Sequence, residues 1–152
     1  RRDGKRIFYS PAGDDVVGLW DHLRRVAQHH RPHTEIARRA YLGPEDTTAV
    51  ASDELLRRIH AGDTVVLDVR PDPEYAAGHL PGALHVPLDQ LADRLAELPA
   101  DRQIVAYCRG RYCVLAHDAV RLLDQHGITA QRAADGILEW KLASLPIETA
   151  AS

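Results

Sequence analysis

The chain has 152 residues, enough for one domain or one domain with an appendage. With 45% hydrophobic and 27% charged residues it has a globular composition; two cysteines exclude a disulfide scaffold, and no run of about 18 apolar residues offers a membrane span. The net charge of −3 is uneven: residues 1–43 carry 9 basic and 5 acidic side chains, and residues 44–152 carry 10 and 17. The basic front reads either as a solvated face or as a contact for nucleic acid or an acidic partner. It opens Arg1-Arg2-Asp3-Gly4-Lys5-Arg6, with no methionine and no signal peptide, so a cytoplasmic protein cut from a longer chain is expected. From Arg2 to Ser10, the Asp3-Gly4 turn followed by alternating Arg6, Ile7, Phe8 and Tyr9 predicts a hairpin with its first strand mostly missing. Val16, Leu19, Trp20, Leu23, Val26 and Ala27 then recur at helical spacing and predict an amphipathic helix from about Asp14 to His30. Pro32 breaks it, and a second helix from His33 to Leu42 stops at Gly43-Pro44. With few partners nearby, that apolar stripe is expected to meet another helix, from a second copy of the chain.

Pro44 to Ala51 reads as a linker, dividing the chain into a front of residues 1–43 and a body of residues 52–152. In the body, Ser52 is placed to cap a helix over Asp53 to His60 that Gly62 stops. Val65 to Val69 predicts a buried strand, Pro71 to Gly78 a short acidic helix, and Ala83 to Val86 a second strand. Leu88 to Leu98 follows as an amphipathic helix and Ile104 to Tyr107 as a third strand. Val114 to His126 is the longest helix of the body, Thr129 to Arg132 a fourth strand, and Gly136 to Ala143 a closing helical turn. Strands alternating with helices predict an α/β fold with a parallel sheet covered on both faces. In such a sheet, ligands bind at the carboxyl ends of the strands. There is no internal repeat and no low-complexity tract.

Cys108 sits at such an end. It closes the run Ile104-Val105-Ala106-Tyr107 and opens the loop Arg109-Gly110-Arg111-Tyr112-Cys113, ahead of a helix start. Backbone N–H groups converging there, backed by the helix N-terminus, are expected to lower the thiol pKa and yield a nucleophilic thiolate, with Arg109 and Arg111 adding to the effect. The competing reading is a small apolar cysteine ending a buried strand. Asp68 ends another buried strand and needs a partner, for which Arg70 is placed. His79 precedes the Pro81-Gly82 turn and reads as structural; Trp140 reads as packing at a core edge.

Four segments together resemble the rhodanese family. They are Val66-Leu67-Asp68-Val69-Arg70, Glu74-Tyr75-Ala76-Ala77-Gly78-His79-Leu80-Pro81-Gly82-Ala83, Val105-Ala106-Tyr107-Cys108-Arg109-Gly110, and Gly136-Ile137-Leu138-Glu139-Trp140 with Leu145-Pro146 behind it. The resemblance covers roughly residues 52–148 and implies a rhodanese-like parallel sheet flanked by helices, with Cys108 as nucleophile and the loop Arg109, Gly110, Arg111, Tyr112 and Cys113 holding the substrate. Asp68, Arg70 and His79 would be structural support. Two departures stand out: Cys113 occupies the position where the family often has arginine, and Asp135 replaces the first glycine of the closing pair. The absence of an arginine ending the loop argues against the phosphatases that share the fold. The front, from the Arg2–Tyr9 segment through the Asp14–His30 helix, resembles the end of an ArsR-type winged-helix regulator, its wing and dimerisation helix.

The two resemblances imply rhodanese-type sulfur transfer through a Cys108 persulfide, taking sulfur from a sulfane sulfur donor and passing it to a thiol acceptor. They imply it as the sensing part of a regulator that binds DNA through an upstream helix-turn-helix missing here, as a homodimer with no membrane. The fragment alone is expected to bind DNA poorly. A second hypothesis makes the site a redox or sulfide sensor in which Cys113 attacks a modified Cys108, provided the loop folds back; otherwise Cys113 is a buried residue at the helix start. A third is a non-catalytic interaction module. His29, His30, His33 and Glu35, or Cys108, Cys113 and His117, were weaker candidates for a metal; no cofactor and no metal are expected.

Overall fold

The computed structural model describes residues 2–3, 6–7, 12–31, 33–43 and 49–149. Two compact units divide the chain, Arg1–Arg38 and Arg39–Ser152. In the first, strands β1 (Arg2–Asp3) and β2 (Arg6–Ile7) pair antiparallel, with Arg2 opposite Ile7; Gly4 of the expected turn, and Phe8, Tyr9 and Ser10, lie outside the described residues. Helix α1 (Asp14–His30) has the predicted bounds. Its stripe is open to solvent: Leu19 is 71% and Leu23 61% exposed, and Val16, Trp20 and Val26 are exposed as well. Pro32, the expected breaker, and residues 44–48 of the expected linker also lie outside the described residues. Helix α2 (His33–Leu42) crosses the division between units and ends, as expected, at Gly43.

The second unit runs α3 (Ser52–Ala61), β3 (Thr64–Asp68), α4 (Asp72–Ala76), β4 (Leu84–His85), a 3₁₀ segment (Leu88–Glu97), β5 (Gln103–Tyr107), α5 (Leu115–Gln125), β6 (Ala130–Arg132) and α6 (Ile137–Leu142). The strands form one parallel sheet in the order β4-β3-β5-β6, with Asp68 level with Tyr107 and His85. Val50 lies as a parallel bridge beside Ala133 and adds hydrogen bonds from its amide to Arg132 O and from Ala134 to its own carbonyl. This is the α/β fold that the strand–helix alternation predicts.

Strands buried on both faces need apolar residues at every position, and β3 is buried throughout. Alternation divides its side chains between two cores. Val65 and Leu67 join Ile104, Ala106, Leu91, Ala119 and Leu123 on the face of α5 and the 3₁₀ segment. Val66 joins Val105, Tyr107, Leu55, Ile137 and Trp140 on the face of α3 and α6. Cys108 continues the first of these sets. Gly62 (φ +74°) and Gly127 (φ +74°) end α3 and α5 in the left-handed region, where a side chain would be strained.

Two local expectations are corrected. Ser52 is not the cap of α3 but its first helical residue; Ala51 is the cap, and the Ser52 hydroxyl instead donates to Asp135 Oδ2 at 2.8 Å. The segment expected as an amphipathic helix from Leu88 to Leu98 forms 3₁₀ turns, broken by a non-helical Arg94 (φ −116°, ψ 18°). Its leucines are spaced three, four and three residues apart (Leu88, Leu91, Leu95, Leu98). A 3₁₀ turn eclipses residues i and i+3, so each pair of turns lays two leucines on the core and the kink absorbs the odd step.

Candidate active site

Strand β5 delivers Cys108 to the carboxyl end of the sheet, and the loop behind it folds back. The Cys113 amide donates to Gly110 O at 3.0 Å, closing a turn before α5 begins. The N-terminal turn of α6 docks on the same loop: the Ile137 and Leu138 amides donate to Cys108 O at 3.0 Å and Arg109 O at 3.1 Å. Gly136 makes that approach possible. A Cβ on it would stand 2.3 Å from Gly110 N and 2.5 Å from Cys108 O. Glu139 ties the two segments further, accepting from the amides of Gly136 and Arg111 at 3.0 and 3.4 Å.

The two cysteines meet inside this loop. Both are free thiols, Cys108 4% exposed and Cys113 half-buried. The two thiols shift each other's titration in opposite directions. The backbone of Gly110 and Ala116 favours the Cys108 anion, as smaller effects than those that oppose it. Two carbonyls face the same sulfur, however, Cys113 O at 3.5 Å and Gly110 O at 3.9 Å, and these accept from a thiol. The bond to Cys113, followed by burial, pushes the Cys108 thiol up, which reverses the expected lowering. Cys113 carries the shift in the other direction. Donation from Cys108 holds its thiol down at about 6, with help from the amides of Leu115 and Arg109 and from the Arg109 charge. The opposed shifts favour the thiolate at Cys113 over Cys108.

Arg109 and Arg111, expected to face an anionic substrate, each hold a carboxylate. Arg109 holds Glu74 through Nε and Nη2 (2.8 and 2.6 Å), with Nη1 3.9 Å from Cys113 Sγ. Arg111 Nε donates to Asp135 Oδ1 at 2.7 Å. Glu74, Asp135 and Glu139 were not singled out as partners, because each lies at least 24 residues from its arginine in sequence. Gly110 and Tyr112 are half-buried in the loop.

The Asp68 carboxylate, fully buried, takes Arg70 Nε at 2.9 Å and Nη2 at 2.6 Å, and Arg70 also donates to Gly78 O at 2.8 Å. A desolvated carboxylate is costly unless several donors meet it, and the Tyr107 hydroxyl supplies a further one. That hydroxyl in turn accepts from the Leu80 amide at 3.1 Å. Burial, and then the Asp68 charge, push the Tyr107 phenol up, so it stays a donor. Tyr107 was read only as a strand residue; a phenol next to the nucleophile position, level with a buried aspartate, was the available signal. His79 is buried, stacked on Tyr75 at 3.8 Å, and paired through its backbone with Glu148. Trp140 is buried, with Nε1 donating to Pro146 O at 2.7 Å. Among the described residues no group of three or more His, Cys, Asp or Glu side chains is arranged to hold a metal ion. No helix of the described residues is long and apolar enough to cross a membrane.

A model of the rhodanese-like domain matches residues 51–143. The chain is 51% identical over 152 residues, 99% of its own length and 66% of the other, to the HTH-type transcriptional regulator Rv0324 of Mycobacterium tuberculosis. The chain thus spans just under two thirds of that relative. It is 32% identical over 100 residues to a sulfurtransferase of Allochromatium vinosum, across 64% of this chain and 92% of that protein. Among solved structures, a Lactobacillus plantarum protein superposes with a TM-score of 0.62 at 28% identity, across 66% of this chain and 87% of that one. The parallel sheet, the signature around Gly78-His79 and the cysteine loop at the strand end are therefore those of a known family: the chain belongs to the rhodanese-like domain family.

Proposed function

We propose that this chain carries out rhodanese-type sulfur transfer through a persulfide on Cys108. One observation carries the reading: Cys108 follows the central strand β5 at the carboxyl end of the sheet, inside a loop that the Cys113 amide closes onto Gly110 O. The proton lies toward Cys108 at rest. As Cys108 attacks the sulfane sulfur of a donor such as thiosulfate, its proton passes to the Cys113 sulfur, the S–S bond of thiosulfate breaks, and sulfite leaves with the electron pair. The backbone of Gly110 and Ala116 then favours the charged persulfide. Arg109 and Arg111 serve an anionic donor only by exchanging Glu74 and Asp135 for it. A thiol or cyanide takes the outer sulfur and returns the Cys108 thiolate.

The same reading places the domain in an ArsR-type transcriptional regulator, where it senses sulfur status for a DNA-binding part upstream. The name of the Mycobacterium tuberculosis relative and the hairpin-plus-helix front support that role. The front is read as wing and dimerisation helix, so the functional unit is a homodimer with DNA as partner. The test is transfer from thiosulfate to cyanide. The wild-type chain forms thiocyanate; Cys108→Ser falls to background. Thiocyanate formation undiminished in that variant overturns the assignment. A wild-type chain that takes up no sulfur leaves the interaction-module reading, which the burial of Cys108 favours.

A further inference from the structure

We infer that Cys113 is a resolving thiol: it attacks the Cys108 persulfide, closes a Cys108–Cys113 disulfide and expels the transferred sulfur as hydrogen sulfide. The inference rests on the Cys108 persulfide just proposed and adds a second fate for it. Three observations place the residues for this step. The Cys113 amide bond to Gly110 O folds the loop so that position 113 returns to position 108. The Cys108 sulfur lies 3.5 Å from the Cys113 carbonyl, so the two residues are in contact across the loop. Arg109 Nη1, 3.9 Å from Cys113 Sγ, stabilises that sulfur as an anion, the form that attacks. Cys113 is also the more open of the two, so it and not Cys108 meets solvent.

The chemistry balances without an added oxidant. Thiosulfate transfers its outer sulfur to Cys108 and leaves as sulfite. The Cys113 thiol loses its proton and attacks the inner sulfur of the Cys108 persulfide; the new Cys108–Cys113 bond forms as the persulfide bond breaks, and the outer sulfur departs with that electron pair as hydrosulfide. The sulfane sulfur is reduced and the two cysteines are oxidised. A thiol reductant reopens the disulfide by exchange. Supply of sulfane sulfur is thereby recorded as a covalent closure of the loop on which α6 docks.

The reduced, full chain is treated with thiosulfate in the absence of thiol or cyanide acceptor; sulfite and sulfide are measured, and the intact mass is read. The expected result is one sulfite and one sulfide released per chain, with the chain lighter by two hydrogens and both cysteines closed to alkylation. Cys113→Ser, which lacks the proton acceptor, is expected to release sulfite more slowly but no sulfide, and at completion to retain one added sulfur on Cys108. A wild-type chain that releases sulfite, keeps a linear persulfide and yields no sulfide overturns the resolving role and leaves the sulfur transfer intact. A wild-type chain that releases no sulfite overturns the persulfide reading itself, and this inference with it.

Discussion

Cys113 occupies a position where charge, not bulk, decides its behaviour. Its thiol is held at about 6 first by the hydrogen bond from Cys108 and next by backbone amides and Arg109. The sign follows directly: a donor that stabilises the anion lowers the pKa, so removing the donor raises it. In the wild type, the alkylation rate of Cys113 is expected to rise with pH through about 6 and to level off above it. In Cys108→Ala the midpoint moves toward the ordinary thiol value, and alkylation by iodoacetamide at pH 7 slows only about two- to threefold, most of the loss of thiolate being offset by its higher nucleophilicity. An unchanged midpoint in Cys108→Ala would mean that the two thiols do not interact. Part of this was legible beforehand. A cysteine ending an apolar run announced the site, and Asp68 with Arg70 two residues on announced a buried ion pair. Which sulfur bears the charge was not legible, because it depends on a loop turn that brings position 113 against position 108.

At the level of elements, the site depends on how closely α6 approaches the loop after β5. Gly136 has φ −110°, an ordinary backbone conformation, so alanine meets no torsional strain there. What it meets is backbone: Gly110 N at 2.3 Å, Arg109 C and Cys108 O at 2.5 Å, none of which is a flexible side-chain end. Gly136→Ala is therefore expected to push α6 off the loop, weaken the amide bonds from Ile137 and Leu138, and destabilise the domain by about 1–3 kcal/mol. Chemical denaturation measures the loss, and thiocyanate formation should fall with it. Equal stability and activity in that variant would show that α6 does not need this close approach to the loop. The elements themselves were easier to read than their contacts. Runs such as Val65-Val66-Leu67 are apolar at every position because both faces are covered, whereas the 3₁₀ turns of Leu88–Glu97 share their leucine pattern with an α-helix. The partners of Arg109 and Arg111 come from distant loops, and nothing in local periodicity encodes them.

The molecule as a whole carries apolar surface that a lone chain does not cover. Leu19 and Leu23 stand four residues apart on one face of α1, exposed by 71% and 61%, with Trp20, Val16 and Val26 exposed on the same helix. An amphipathic helix buries its stripe when it can, since each leucine removed from water contributes about 1.5–3 kcal/mol. The proposed homodimer uses this stripe, with α1 of one copy against α1 of another. Sedimentation velocity over a range of concentrations is expected to show a dimer for the wild type. Leu19→Glu together with Leu23→Glu replaces two burials by two charges that dimerisation would have to desolvate, so the dissociation constant should rise by at least about a hundredfold. Both positions are open to solvent in the single chain, so the double variant should keep the wild-type unfolding midpoint at concentrations where both are monomeric. A wild-type chain that sediments as a monomer at every concentration would remove the dimer, and with it the reading of α1 as a dimerisation helix.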